Sequence, residues 1–276
     1  MNKNINFYHQ NGYLIIKNII SKNVIDQIQE SIYLRASNYI PKLKKKYDKN
    51  FYKKDFHKAL LEFRLKNPSG FGSFYDSMQK NMLIYKILCT PSLIKIISKI
   101  MKKDLKQISF NGENIRMDAP YDKKNSLGWH QDRAYYFQNR DGNKGLVCWL
   151  PLIDISAKIG PLKVCSKSHE LGLILTKKKK FNKKGYSDQF EIKSSLVKNY
   201  KIISPLIKTT DVLLINKNTI HASGKNISDL FRFSMQARFH DLSDQDYLSF
   251  NYKLNYNSYD INSMKNKNID VSDIQF

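Results

Sequence analysis

The sequence predicts a mainly β domain of the α+β class, with helices gathered in its N-terminal third. Three observations lead there. Apolar residues recur at helical spacing between residues 24 and 100. From about residue 107 the pattern changes to short strand-like runs broken by Gly, Pro, Asn and Asp. Hydrophobic content of 41% and aromatic content of 12% across 276 residues are enough for a buried core, which excludes wholesale disorder. Helices first and strands later fit one domain over 1–276, with a core of about 5–240 and a C-terminal extension over 241–276.

Each element follows from local chemistry. Residues 7–20, FYHQNGYLIIKNII, read as a helix end, a turn at Asn11-Gly12 and a strand from Tyr13 to Ile16. Ser21 is placed to cap a helix with Val24, Ile25, Ile28 and Ile32 on one face. Residues 40–75 are basic and aromatic, with Pro41, Pro68, Gly70 and Gly72, and predict loop plus a short helix. Pro91 suits the first turn of a helix carrying Leu93, Ile94, Ile97 and Ile100. QISFNGENIRM, LVCWLPLI, PLKVC, DVLLIN and RFSMQARFH are the expected strands. The Lys-rich stretch 176–188 interrupts them and predicts a mobile loop.

The formal net charge of +23 first suggests a nucleic acid or an anionic membrane. Composition argues against both. Of 47 basic residues only seven are Arg, leaving 40 Lys spread along the chain. A surface built for phosphate would use more Arg, whose planar fork grips it bidentately. Solvated lysine is the expectation, with no nucleic-acid partner. No run of 18 uncharged apolar residues exists, so no membrane span is expected. The N-terminal segment has no long apolar run of the signal-peptide type. Cys89, Cys148 and Cys165 are too few and too scattered for a disulfide framework, and a cytoplasmic protein is expected.

The chemistry concentrates in two places. Trp129-His130-Gln131-Asp132 holds a His-x-Asp pair, whose alternate residues share a face on a strand end. With a distant second His, such a pair makes a facial triad that binds non-haem Fe(II) and leaves open coordination positions. A hydrogen-bonded surface pair is the alternative. His221 follows the apolar run Val212 to Asn216, and Arg232 opens the next strand. A guanidinium there suits the distal carboxylate of a dicarboxylate co-substrate, held bidentately. An ion pair with an acid such as Asp229 is the alternative for Arg232.

Taken in order, these motifs resemble the phytanoyl-CoA dioxygenase (PhyH) family of Fe(II)- and 2-oxoglutarate-dependent oxygenases, over roughly residues 5 to 240. The resemblance rests on the opening YHQNGYLIIKNIIS, WHQD at 129–132, WLPL at 149–152, GPL at 160–162, SKSH at 166–169, TDVLLI at 210–215, and HAS at 221–223 with Asn226 and Arg232. Two family glycines are replaced, by Lys167 and Thr210, which puts two turns in doubt. The resemblance implies a double-stranded β-helix, or jelly-roll, with N-terminal helices packed on its major sheet. It implies Fe(II) bound by His130, Asp132 and His221, and 2-oxoglutarate held by Arg232 and Ser223, with Gln131 and Trp149 alongside. The implied reaction consumes O2 and 2-oxoglutarate, releases succinate and CO2, and oxidises an unactivated C–H bond of a small molecule. Halogenating relatives carry a small residue in place of Asp132, so a carboxylate there implies hydroxylation or a related oxidation.

Substrate contacts are expected from Tyr136 and Arg238, and from Asn114 and Arg116, which share a strand face. Arg133 and Tyr135 are expected at the opening. Arginines there and the Lys-rich loop 177–184 would favour an anionic substrate such as an acid, a phosphonate or phosphate ester, or a carrier-linked acyl group. His9, His57 and His240 are expected at the surface or core edge, and His169 in a turn. The competing reading is a non-catalytic jelly-roll that binds nucleic acid or another polyanion. No clustered Arg–aromatic platform supports it.

Overall fold

The computed structural model describes residues 2–122, 126–135, 139, 141–174, 176–179 and 189–249. The chain opens with α1 (Asn2–Asn11) and β1 (Tyr13–Ile16), then α2 (Lys22–Ser37), α3 (Lys54–Lys66), α4 (Pro68–Ser77), α5 (Met82–Leu88) and α6 (Pro91–Met101). The strand-rich part runs β2 (Ile108–Asp118), β3 (Gly145–Pro151), β4 (Lys163–Cys165), β5 (Lys177–Lys179), β6 (Gln189–Glu191), α7 (Ser194–Val197), β7 (Ile202–Ile203), β8 (Val212–Asn216), β9 (His221–Ala222), β10 (Arg232–Asp241) and α8 (Gln245–Ser249). A five-stranded antiparallel sheet has the order β1-β8-β3-β10-β2, and a three-stranded sheet the order β7-β4-β9. The two sheets enclose a cavity, giving a double-stranded β-helix.

β10 shows how the large sheet divides its work. Phe233, Met235, Ala237 and Phe239 are buried in the core, as is Phe231 just before the strand. Phe233 meets Phe51 at 4.7 Å and Phe231 meets Phe71 of α4 at 6.2 Å, so this face takes the helical layer. The alternate residues Arg232, Ser234, Gln236 and Arg238 line the cavity. Period-two alternation puts the two sets on opposite faces.

Two expectations are corrected here. Residues 40–75 contain two helices rather than loop plus a short one. Pro68 is not a breaker, because it sits in the first turn of α4, where its missing N–H costs nothing, and Asn67 caps that helix by accepting from Gly70 N at 2.8 Å. The Lys-rich stretch begins as a strand, since β5 pairs with β6 in register Lys177↔Glu191. The remainder of that loop, like the tail beyond Ser249, lies outside the described residues.

His57 and His240 are fully buried rather than at the edge. The His57 Nε2–H donates to Phe51 O at 2.8 Å, and Nδ1 accepts from Phe231 N at 2.9 Å, tying α3 to the start of β10. Burial pushes the imidazole down to about 4, against the opposing bond to Phe51. The unfolded chain therefore takes up the proton first. Stability is fully present above pH 6.5 and is lost as pH falls from 6.5 towards 4. The difference approaches about 3 kcal/mol. Urea midpoints at pH 7 and pH 4.5 should fall further for the wild type than for His57→Gln; equal falls would remove this assignment.

The opening segment is locked to the SKSH turn. Gly12 has φ +76, and a Cβ there would lie 2.5 Å from Thr219 Oγ1 and 2.6 Å from His169 Nδ1. His169 Nε2–H donates to His9 O at 2.8 Å, and Lys167 N donates to Asn11 O at 2.9 Å. His169 is thus a brace, as its place in a turn suggests. Of the two residues standing for glycine, Lys167 adopts the left-handed conformation, with φ 68 and ψ 0, while Thr210 has no positive φ. Lys167→Gly should raise stability by about 0.5–1 kcal/mol, a Tm gain of about 1–4 °C in a thermal melt. An unchanged or lower Tm would contradict strain at this turn.

Among the described residues no helix is long and apolar enough to cross a membrane. Cys148 and Cys165 are free and buried, and burial pushes their thiols up to about 12 and about 11. They act as small core residues.

Candidate active site

His130 and His221 are brought together by the backbone. His130 N donates to His221 O and His221 N to His130 O, each at 2.9 Å, an isolated antiparallel bridge to the start of β9, the edge strand of the smaller sheet. This exchange sets the imidazoles side by side, with centroids 4.2 Å apart. A 3-10 turn, Asp132–Ala134, then carries the carboxylate beneath them. Asp132 Oδ1 lies 3.5 Å from His130 Nε2 and 3.4 Å from His221 Nε2. One donor atom from each of the three lies within 4.8 Å of the others, and all three residues are buried.

The protonation pattern suits a cation. His130 Nδ1–H donates to Gly128 O at 2.7 Å and His221 Nδ1–H to Thr219 O at 3.0 Å, so both Nε2 lone pairs face Asp132. Burial, then the neighbouring His221, lowers the His130 value and favours neutral imidazole. Burial alone would raise Asp132. The Arg238 guanidinium and the two histidine contacts outweigh it and hold the carboxyl well below the usual range. Two imidazoles with their Nδ1–H groups tied to carbonyls, and one carboxylate, fit a divalent ion with open positions.

The cavity beside this cluster is lined by Arg116, Trp149, Ser223, Arg232, Ser234 and Gln236 among others. Leu127, Val147, Leu162 and Ile215 make its apolar walls. Ser223 Oγ accepts from Leu127 N at 3.2 Å. Arg232 is buried and heavily engaged. Its Nε and one terminal nitrogen donate to Asp118 Oδ2 at 3.0 and 2.7 Å, and the other donates to Gly160 O at 2.5 Å and Gly224 O at 3.2 Å. The acid beside Arg232 is thus Asp118, not Asp229, which pairs with Lys54. Four N–H groups serve the fold, and a guanidinium has five. The fork edge expected for a co-substrate therefore faces Asp118. Arg116 also reaches Asp118, at 3.3 Å. Burial raises Asp118, and Arg116 and Arg232 together bring it below the ordinary value.

Other expected residues have different places. Gln131 is fully buried, and its amide is spent on backbone: Nε2 donates to Gly172 O at 2.7 Å and Asn218 O at 2.6 Å, and Oε1 accepts from Ile174 N at 2.9 Å. This corrects its expected co-substrate contact; it ties the metal motif to the 172–174 loop. Asn114 donates to Gly112 O at 3.0 Å and is not among the cavity-lining residues. Arg133 is buried outside the cavity, and Tyr136 lies outside the described residues. Tyr135 stands edge-on to His130 at 5.9 Å and accepts from Phe190 N at 2.9 Å, so β6 abuts the metal motif. Arg238 lines the cavity and contacts Asp132.

Ser234 and Gln236, which line the cavity, and Asp118, which holds Arg232 and Arg116, are residues that sequence reasoning passed over. For Ser234 and Gln236 the missed signal is their alternation with Arg232 and Arg238 on one strand.

A double-stranded β-helix with a His-x-Asp…His cluster over an arginine-lined cavity defines the non-haem metal oxygenase type of site. The family model for phytanoyl-CoA dioxygenase (PhyH) matches residues 8–234, and the chain belongs to that family. No curated protein matches the sequence. Several solved structures share the fold. EctD from S. alaskensis, with 2-oxoglutarate and 5-hydroxyectoine, is 13% identical, covers 88% of this chain and 77% of its own, and has a TM-score of 0.57. The epimerase SnoN, in complex with Fe3+, alpha ketoglutarate and nogalamycin RO, is 12% identical, with coverage of 94% and 91% and a TM-score of 0.59. EvdO2 from Micromonospora carbonacea var. aurantiaca, complexed with 2-oxoglutarate, is 14% identical, with coverage of 88% and 94% and a TM-score of 0.56.

Proposed function

We propose that this chain is a cytoplasmic Fe(II)- and 2-oxoglutarate-dependent dioxygenase that hydroxylates, or otherwise oxidises, an unactivated C–H bond of a small anionic metabolite. The observation that carries the reading is the buried His130–Asp132–His221 cluster, with both Nδ1–H groups tied to carbonyls and both Nε2 atoms turned to one carboxylate oxygen. Iron and 2-oxoglutarate, when bound, supply an oxidation in which one atom of O2 enters the substrate as hydroxyl and the other enters succinate, with loss of CO2. The chain's own part is to hold and orient. His130, Asp132 and His221 would hold the metal, and the remaining Arg232 N–H and the Ser223 hydroxyl would hold the 2-oxoglutarate carboxylate. Trp149, Val147, Leu162 and Ile215 keep water from the reacting centre.

Charge supports an anionic substrate. Among the described cavity residues, Arg116, Arg232 and Arg238 face Asp118 and Asp132. A divalent ion and a dianionic co-substrate cancel, so the three arginines and two aspartates leave a net positive charge for the substrate to meet. Tyr136 and the lysines of the 177–184 loop belong to the same proposal as contacts at the mouth.

The test is purified protein with Fe(II), O2 and 2-oxoglutarate, screened against small acids and their neutral amides for succinate and CO2. Release that depends on 2-oxoglutarate and prefers the acids is expected. Salt-sensitive binding of DNA or RNA without any binding of 2-oxoglutarate would replace this reading with the polyanion-binding one.

A further inference from the structure

Arg238 sits at the far end of the polar face of β10 and is buried. Its Nε donates to Asp132 Oδ2 at 2.6 Å, whereas the two histidine Nε2 atoms face Oδ1. The two carboxylate oxygens therefore have separate partners. A second contact fixes the guanidinium from behind, because a terminal nitrogen donates to Gly112 O at 3.3 Å.

That carbonyl is available because β2 is irregular. Gln236 pairs with Asn114, but Arg238 pairs with Asn111, so Gly112 and Glu113 share the place opposite Ala237. Gly112 takes φ 58, a left-handed conformation that glycine adopts without strain. An extra residue of this kind bends its strand and re-aims the groups around it. Here it turns one peptide oxygen towards Arg238.

We infer that Arg238 is a positioning residue: held by the bulge at Gly112, it occupies the outer oxygen of Asp132 and leaves a single carboxylate oxygen for the metal. The inference rests on the metal-site reading above. A carboxylate free to use both oxygens would take a second position on the ion. With Oδ2 engaged by a short charge-assisted bond, the three ligands leave the open positions that a chelating co-substrate and O2 require. Arg238 would thus govern how many positions stay open, without itself touching the substrate.

The experiment uses the full chain loaded with Co(II), with no substrate present. Arg238→Met and Arg238→Lys are compared with wild type by Co(II) visible absorption and by calorimetric binding of Co(II) and of 2-oxoglutarate. The Met variant should still bind Co(II), show a changed absorption intensity as the coordination number changes, and bind 2-oxoglutarate about 10-fold more weakly. The Lys variant should recover most of both, since one ammonium can still engage Oδ2. A Met variant with wild-type absorption and wild-type 2-oxoglutarate affinity overturns the inference, and places Arg238 as a substrate contact if only the substrate KM rises. Complete loss of Co(II) binding also overturns it, because losing an outer partner weakens a metal by only ~10–100-fold while the three ligands remain. Should the Met variant not fold, Gly112→Ala, which strains the bulge, must shift the absorption in the same sense; an unshifted band overturns the inference. Failure of wild type to bind either Co(II) or 2-oxoglutarate would instead remove the metal-site reading.

Discussion

Asp132→Ala is expected to abolish succinate release and to weaken metal binding by more than the ~10–100-fold typical of losing an outer partner. The substitution removes the anionic donor of the cluster and leaves two imidazoles beside the Arg238 guanidinium. A divalent ion would then meet an uncompensated positive charge. The same change strips a buried cation of its counter-ion, which typically costs about 3–5 kcal/mol. Calorimetric titration with Fe(II) under anaerobic conditions and a urea melt read the two effects separately. Full activity in this variant would remove the triad assignment.

Arg232→Met should lower stability by a similar amount, about 3–5 kcal/mol, because the side chain holds Asp118 through two N–H groups and two loop carbonyls through others. A fall in Tm of about 10 °C follows for a chain of this size. Arg232→Lys should melt closer to wild type yet show a weaker grip on 2-oxoglutarate, since an ammonium keeps the charge and loses the planar fork. If Lys binds 2-oxoglutarate as tightly as Arg, the residue serves the fold alone. Separating the two roles matters here because most of the guanidinium's hydrogen bonds are internal.

Much of the fold was legible because its signals are local. The strand of residues 13–16, the helix after Ser21 and the helix after Pro91 announce themselves by turn residues and apolar spacing. The helices of residues 54–66 and 68–77 were harder, because Pro68, Gly70 and Gly72 read as breakers unless the cap at Asn67 is recognised. Residues 202–203 and 221–222 form strands of two residues, too short to show any period. The His130, Asp132 and His221 cluster was legible as a His-x-Asp pair plus a later His within an ordered set of motifs. Their side-by-side placement comes from a non-local backbone pair between His130 and His221, which no spacing reveals. Gln131 misled for a related reason. Its neighbours on both sides bind the site, yet the amide is consumed by backbone from residues 172, 174 and 218. Arg238 was legible as cavity-facing by parity with Arg232. Its contact with Asp132 depends on a register slip in the neighbouring strand.

The alternation along β10 also bears on how such a protein can change its chemistry. Odd positions from 231 to 239 are buried in the core, and even positions from 232 to 238 meet the cavity. Ser234 and Gln236 can therefore be exchanged for larger, smaller or more apolar residues without disturbing the Phe231, Phe233 and Phe239 packing on the other side. A new substrate preference is reachable through two adjacent even-numbered positions, with the fold's apolar interior left as it stands.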